Sequence, residues 1–270
     1  MKFALIGHKI SYSMSPVIHE LISEIPMDYK ILDLSPESLS KELPPELLEL
    51  NGFNVTIPHK RSIMAYCKEL DPVAEIIAAV NTVDNTNGVL KGYNTDYLGF
   101  MSSLRESIKN YFDFHPVLIG YGGVARAVIF ALQEMGFRTL SIAGGIDDNE
   151  RKVFIDEMNS QTKIILIDHI PDLPCLWINA TPIGGAKYPD IPKDYIPFRY
   201  GDILFDLNYT PYPTFLEQYA KKKGIKTLNG LNMLVYQAIE AQKIWFKDKQ
   251  NTRVDVNSII HSLVNLNTVS

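Results

Sequence analysis

Residues 116–135 constrain the fold most, because they form a complete strand–turn–helix unit. The apolar run 116–119 predicts a buried strand, glycines at positions 120, 122 and 123 predict a tight turn, and an alanine-rich helix is expected to reach Met135. Glycines in such a turn let the backbone approach a pyrophosphate closely, and the pyrophosphate then lies at the helix N-terminus. The sequence therefore predicts a dinucleotide site at Gly120 and Gly122.

Strands that alternate with helices are predicted along the rest of this region. Such alternation is typical of a parallel sheet with helices on both faces. We therefore expect an α/β fold in which residues 98–229 form a Rossmann-like dinucleotide-binding domain. Beyond the first strand, its predicted strands span residues 139–143, 163–167, 176–179, 203–206 and 226–228.

The first 97 residues predict a second α/β domain. Asn87-Gly88 separates two apolar runs and predicts a hairpin, with a connection longer than two residues. A long helix from Gly230 to about Phe246 and a last helix over 254–263 are expected to pack back on this domain, giving it residues 1–97 and 230–270. Further strands are expected at 1–6, 28–34 and 54–57, and helices at 61–70, at 72–79 and from 97 to at least 104.

Composition excludes several classes of function. The net charge is −5, and no run of Lys or Arg suits a nucleic-acid backbone. Cys67 and Cys175 are far apart and form no CxxC pair, so we expect neither a disulfide nor a metal site, and a reducing cytoplasm is the expected setting. No apolar run has the length of a signal-peptide core or a membrane span. We expect a small-molecule substrate and a monomer or homodimer.

Lys60 lies at a predicted strand-to-helix junction. Val55 and Ile57 favour a strand, and Pro58 should end it, since proline cannot donate to a central ladder. Side chains at such junctions in α/β sheets commonly face a ligand crevice. Lys60 is therefore a candidate site residue, although a solvated surface lysine is the simpler interpretation.

Two serines mark another candidate site. Ser15 before Pro16 is typical of a helix start, with a hydroxyl as N-cap and proline in the first turn. One interpretation is that Ser15 only caps the helix and Ser13 only turns the chain. The other is that the two hydroxyls, with the free N–H groups of the helix start, bind a carboxylate.

The segment after the strand at 139–143 bears on cofactor choice. No Lys or Arg lies between Arg138 and Arg151, and Asp147 and Asp148 are acidic. In dinucleotide-binding folds an acidic group here suits a free ribose 2′-hydroxyl, and arginine suits a 2′-phosphate. The segment alone favours NAD, unless the aspartates only cap the next helix.

Taken together, these residues resemble the shikimate dehydrogenase family over nearly the whole chain. Ser13-Met14-Ser15-Pro16 with His19 resembles its carboxylate site, and Asn54 to Lys60 is similar to its lysine motif. Gln237, beside the apolar stripe of the long helix, lies within another family-like motif. The remaining matches are Ala79-Val80-Asn81-Thr82, Asn94-Thr95-Asp96, Gly120-x-Gly122-Gly123, Asn179-Ala180-Thr181, Asp206-x-x-Tyr209 and Gly230-x-x-Met233-Leu234-x-x-Gln237.

The resemblance implies an enzyme that reduces 3-dehydroshikimate to shikimate with NAD(P)H, in aromatic amino-acid biosynthesis. It implies that Lys60 and Asp96 are catalytic and flank the reacting carbonyl. Substrate residues would be Ser13 and Ser15 at the carboxylate, helped by Tyr209, and Thr56, Asn81 and Gln237 at the ring hydroxyls. Cofactor residues would be Gly120, Gly122, Gly123, Val124, Thr181, Gly230 and Met233.

Departures from the family pattern leave alternatives open. NADP is the family default, but Gly144-Gly145 replaces the usual phosphate-clamping Asn-Arg, so NAD is possible, with Arg151 as a displaced replacement. His8-Lys9, Tyr12 and Pro182 also depart from the pattern. The alternatives are a quinate/shikimate or aminoshikimate dehydrogenase, and a binding paralogue that has lost turnover.

Overall fold

The computed structural model describes residues 1–39, 42–86, 88–143, 148–161, 163–167, 169–247 and 254–268. The chain divides into two compact units. The first unit comprises Met1–Gly99 and Leu234–His261, and the second unit comprises Phe100–Met233 and Ser262–Ser270.

The described helices are mostly short and alternate with the strands. Pro16 and Pro72 lie in the first turns of their helices, where a missing N–H is tolerated. No helix within the described ranges combines the length and apolar character that crossing a bilayer requires. The helices are α1 (Ser15–Ile22), α2 (Pro45–Leu48), α3 (Pro72–Ile77), α4 (Asp96–Ser107), α5 (Gly123–Glu134), α6 (Asp148–Gln161), α7 (Phe215–Lys222), α8 (Gly230–Phe246) and α9 (Val256–Thr268).

The sheet of the first unit is mixed. Its strands are β1 (Lys2–Gly7), β2 (Asp28–Asp33), β3 (Gly52–Val55), β4 (Glu69–Leu70), β5 (Thr82–Thr86) and β6 (Val89–Tyr93), in the order β2-β1-β3-β5-β6-β4. Strand β1 pairs in parallel with β2 and β3, whereas β3–β5 and β5–β6 are antiparallel. The end of β3 and the start of β5 therefore lie side by side, with Asn54 opposite Thr82.

Alternate residues of β1 pack on opposite faces of this sheet, as expected of a strand. Ala4 and Ile6 join a large aliphatic core. Phe3 packs on the other face against Trp245 and Phe246 of α8, with its ring centroid 4.6 Å from that of Trp245. Helix α8 therefore closes one face of the first unit.

The second unit contains a fully parallel sheet. Its strands are β7 (His115–Ile119), β8 (Thr139–Ala143), β9 (Ile165–Ile167), β10 (Cys175–Asn179), β11 (Ile203–Asp206) and β12 (Lys226–Asn229), in the order β12-β11-β10-β7-β8-β9. This is the order of a doubly wound dinucleotide-binding sheet, in which the strand order reverses between β7 and β10. Ligands in such sheets bind at the carboxyl ends of the strands at that point. The expected Rossmann-like fold is confirmed.

Three local predictions are wrong. Residues 61–70 do not form one helix: Ser62–Tyr66 form a 3₁₀ turn, and Glu69 and Leu70 form β4, paired with β6. The hairpin connection is not longer than two residues, because Thr86 pairs with Val89. Ser15 is not the N-cap of α1, since Met14 holds that position without a side-chain cap. Asn87 and Asp147 lie outside the described residues, and so does the side chain of Asp148.

Candidate active site

Lys60 and Asp96 form an ion pair in the first unit. Lys60 Nζ donates to Asp96 Oδ2 at 2.6 Å, and the side chains are 13% and 8% exposed. The backbone carbonyl of Lys60 accepts from Val80 N at 2.8 Å, which ties the lysine to the segment just before β5. Asp96 begins α4, where the helix dipole favours a negative charge. A lysine ammonium group and a carboxylate are thus held together with limited access to water.

Asn81 fixes the other oxygen of Asp96. Its Nδ2 donates to Asp96 Oδ1 at 2.9 Å and to Thr95 Oγ1 at 2.9 Å, and its Oδ1 accepts from Thr95 N at 2.6 Å. Strand β5 begins opposite the end of β6, with Thr82 paired to Tyr93. The antiparallel register therefore places the residue before β5 beside the residues after β6.

Gln237 of α8 completes this cluster. It is buried, and its Oε1 lies 3.4 Å from both Asn81 Nδ2 and Thr95 Oγ1. Its Nε2 donates to Leu234 O at 2.9 Å. The structure thus brings together Lys60, Asp96, Asn81 and Gln237, although Gln237 is 156 residues from Asn81 in the chain.

Ser13 and Ser15 form a separate hydroxyl pair. Ser13 Oγ donates to Ser15 Oγ at 3.2 Å and accepts from Ser15 N at 3.3 Å. The side chain of Ser13 therefore bonds the first residue of α1 and is more than a turn residue. Thr56, which follows β3 and is half-buried, donates its backbone N–H to Ile6 O at 2.9 Å, so it lies at the end of β1.

His19 is buried in the first unit and packs against the half-buried Tyr29. His19 has no exposed surface, and its ring stacks on Tyr29 with centroids 4.4 Å apart. Gln242 of α8 donates to His19 O at 2.8 Å, and its Nε2 lies 3.2 Å from His19 Nδ1. Burial lowers the pKa of His19 from 6.5 to about 3, because the charged imidazolium would lose its hydration. This histidine is a neutral part of the core.

The predicted glycine turn lies in the second unit between β7 and α5. Gly120 has φ +100, and a Cβ built there would lie 2.8 Å from Thr181 Cγ2. Gly122 is the N-cap of α5 at φ −78, and a Cβ there would meet nothing within 4 Å. Gly120 is therefore required by the fold, whereas Gly122 leaves space before the helix N-terminus. Val124 is half-buried in the first turn of α5.

Thr181 belongs to a hydrogen-bonded cluster at the carboxyl ends of β10 and β11. Its Oγ1 donates to Asn179 Oδ1 at 2.8 Å and lies 2.7 Å from Tyr195 Oη. Asn179 in turn donates to the buried Asp206 at 2.9 Å. Burial raises the pKa of Asp206 to about 6 despite these donors. The cluster holds the backbone beside Gly120 in place.

Three further predicted residues follow β11. Tyr209 is half-buried and comes three residues after the end of this strand. Gly230 begins α8, and a Cβ there would collide with the carbonyl oxygen of Leu207, so only glycine fits. Met233, on the same helix, is 6% exposed. Gly144 and Gly145 lie outside the described residues, and Arg151 is in the first turn of α6.

Sequence reasoning assigned no role to Tyr29, Asn54, Thr82 or Thr95, although the last three stand within its motifs. The available signal was a polar residue at a buried strand position, as at Asn54 between Phe53 and Val55. No group of three His, Cys, Asp or Glu side chains suited to a metal occurs among the described residues.

Comparison with known proteins identifies the family. A family model described as the shikimate dehydrogenase substrate binding domain matches residues 5–83. A protein of Methanococcus vannielii named shikimate dehydrogenase (NADP(+)) is 38% identical in an alignment 276 positions long, which covers 96% of this chain and 96% of that protein.

Two solved structures of shikimate 5-dehydrogenases are similar to this chain. The shikimate 5-dehydrogenase of Thermus thermophilus, in complex with NADP(H) and shikimate, has a TM-score of 0.82 and 28% identity over 99% of both chains. The Listeria monocytogenes enzyme, in complex with shikimate and NAD, has a TM-score of 0.80 and 28% identity, covering 97% of this chain and 96% of that one. From its similarity to the Methanococcus protein over nearly its whole length, this chain belongs to the shikimate dehydrogenase family.

Proposed function

We propose that this protein is an NADP-linked shikimate dehydrogenase, which reversibly reduces 3-dehydroshikimate to shikimate. The observation that carries the proposal is the Lys60–Asp96 pair, held at 2.6 Å and fixed on its far side by Asn81. Family membership supplies the substrate class, since the relatives are named for this reaction.

The pair suits the chemistry of ketone reduction. A reduced nicotinamide supplies the hydride when it is bound. As the carbonyl carbon accepts this hydride, negative charge develops on the oxygen, and a proton must reach it. The Lys60 ammonium donates that proton and is reprotonated from solvent. Asp96 orients Lys60 and accepts a hydrogen bond from a neighbouring substrate hydroxyl.

The remaining predicted residues have supporting roles in this proposal. Residues 1–97 with 230–270 form the substrate domain, and residues 98–229 form the dinucleotide domain. Ser13 and Ser15 bind the substrate carboxylate, as their paired hydroxyls and the start of α1 allow. Substrate contacts also come from Thr56, Asn81, Tyr209 and Gln237, and cofactor contacts come from Gly120, Gly122, Gly123, Val124, Thr181, Gly230 and Met233.

A matrix of substrates against cofactors tests the function. Shikimate, quinate and aminoshikimate are each oxidised with NADP⁺ or NAD⁺, and the nicotinamide absorbance band is followed. We expect the highest kcat/KM with shikimate and NADP⁺. Turnover of quinate without turnover of shikimate would refute shikimate as the substrate. A preference for NAD⁺ would refute NADP as the cofactor.

A binding paralogue without turnover is the alternative from another class. Such a protein would be expected to lack the lysine or the aspartate, whereas here both are present and bonded. Calorimetric titration separates the two hypotheses. Binding of shikimate without binding of either dinucleotide would favour the paralogue.

Two glycine variants separate folding from cofactor binding. Gly120→Ala should lower the free energy of unfolding by about 1–3 kcal/mol, because alanine is strained at φ +100 and would press on Thr181. Gly122→Ala should change it by less than about 1 kcal/mol, since its φ suits alanine. The added methyl group would instead occupy the space left for the pyrophosphate, so KM for the dinucleotide should rise roughly tenfold.

Urea unfolding and steady-state kinetics of both variants give these quantities. An unchanged dinucleotide KM in a folded Gly122→Ala protein would place the pyrophosphate elsewhere. An unchanged stability of Gly120→Ala would show that the turn relaxes around the methyl group.

A further inference from the structure

A series of hydrogen bonds crosses the first sheet and ends at Asp96. It joins Tyr29 on β2, Asn54 on β3, Thr82 on β5 and Asn81 just before β5. The side chains of Asn54, Thr82 and Asn81 are all buried. The bond from Tyr29 to Asn54 passes over β1, which lies between β2 and β3, whereas the other bonds join adjacent segments of the same unit. Strand register places Asn54 opposite Thr82.

Backbone groups fix the direction of these bonds. Asn54 Nδ2 lies 3.2 Å from Asn81 O, a carbonyl that can only accept, so this atom is the amide nitrogen. Asn54 Oδ1 then faces Tyr29 Oη at 2.7 Å, and Tyr29 must donate. Asn81 Oδ1 likewise lies 2.6 Å from Thr95 N, which can only donate. Asn81 Nδ2 is therefore the atom that faces Asp96.

Thr82 lies between the two amides. Its Oγ1 accepts from Asn54 Nδ2 at 3.0 Å, so its own proton is free to go to Asn81 Oδ1 at 3.1 Å or to Thr95 Oγ1 at 3.3 Å. When Thr82 donates to Asn81 Oδ1, every donor in the series points toward Asp96. Asn81 donates to Asp96 Oδ1 at 2.9 Å, and Lys60 donates to Oδ2 at 2.6 Å.

We propose that Thr82 is a positioning residue for the catalytic pair. Its hydroxyl holds the Asn81 amide so that the NH₂ group is presented to Asp96, and Asp96 in turn holds Lys60. In a buried, weakly polarisable environment such bonds strengthen one another, so loss of one member weakens the next. The inference rests on the proposed function, since it assigns Thr82 a role in that reaction.

Replacing Thr82 by valine tests this role, because valine keeps the branched shape and removes the hydroxyl. Asn81 Oδ1 then loses one donor and Asn54 Nδ2 loses one acceptor. We expect kcat for shikimate oxidation to fall roughly 5- to 30-fold, with KM changed less than about twofold, since a single buried hydrogen bond is removed. Thr82→Ser keeps the hydroxyl and should restore most of kcat.

Thr86→Val is the matched control. Thr86 lies on the same strand, is exposed, and directs its hydroxyl to Asp84. The kcat of the Thr86→Val variant should equal that of the wild type. A wild-type protein without turnover would refute the proposed function itself. An active wild type with unchanged kcat in Thr82→Val would overturn only the positioning role, and so would equal losses in the valine and serine variants.

Tyr29→Phe provides a second route if Thr82→Val fails to fold. It removes the first donor of the series and leaves Asn54 Oδ1 without that partner. A two- to fivefold loss of kcat at constant KM is expected, roughly the effect of a weakened hydrogen bond further from the pair. An unchanged kcat in folded Tyr29→Phe would overturn the proposal.

Discussion

Replacing Lys60 with alanine should lower kcat by about 10²- to 10⁴-fold, the range that a positioned general acid contributes. KM for shikimate should change little, because in the proposed mechanism the lysine acts mainly when charge develops on the substrate oxygen. The same variant leaves Asp96 largely buried without its partner. Steady-state kinetics in both directions, with the free energy of unfolding from urea titration, separate the loss of chemistry from a loss of stability.

Lys91→Ala is the matched control for this experiment. Lys91 lies on β6 of the same sheet, and its side chain is 38% exposed beside Glu69. Removing this partly exposed lysine, which lies outside the proposed site, should leave kcat unchanged. Comparable turnover in Lys60→Ala and wild type would show that another group donates the proton, and a large rise in KM alone would make Lys60 a binding residue.

Acid should destabilise the protein through His19. The unfolded chain takes up a proton near pH 6.5, whereas burial holds the pKa of folded His19 at about 3. The unfolded state therefore binds more protons as pH falls below 6.5, and stability decreases in that direction. Above pH 6.5 His19 is neutral in both the folded and the unfolded state, so it does not lower the stability there. The loss of stability is about 2 kcal/mol at pH 5 and about 4–5 kcal/mol near pH 3.

Urea unfolding at a series of pH values measures how the free energy of unfolding depends on pH. His19→Gln cannot take up the proton, so its stability should depend less on pH between 6.5 and 4. His261→Gln, which changes an exposed histidine, is the matched control. NMR of the imidazole nitrogens gives a direct check: titration of His19 in the folded protein near pH 6.5 would contradict the prediction.

Local rules predict the parts of this molecule that depend on neighbouring residues. The glycine turn at Gly120 follows from backbone conformation. Pro58 indicates a strand end nearby, and β3 ends at Val55, two residues before the predicted end at Ile57. Helix α7 was missed, although Thr214 and Glu217 form a capping box that is visible in the sequence. The glycine, proline and capping-box signals each act within a few residues of the chain, so they can be identified without knowledge of the tertiary structure.

Other features depend on contacts distant in the chain. Residues 69 and 70 resemble a helix by pattern, but they pair with β6 and become a strand. Gln237 lies beside the apolar stripe of its helix, a position typical of an exposed flank, yet it is buried against Asn81 and Thr95. The role of Thr82 depends on its register with Asn54. Register between strands and burial against a distant helix are tertiary properties, which no local pattern specifies.

The packing of Phe3 against Trp245 determines when the first unit can complete its fold during synthesis. Phe3 leaves the ribosome before its partners on α8, which emerge only after residues 100–233 have been translated. Residues 100–233 are contiguous and can fold as they appear. The first unit must wait with one face of its sheet exposed until α8 arrives. A nascent chain paused before residue 234 is therefore the species in which a chaperone would find most apolar surface to bind.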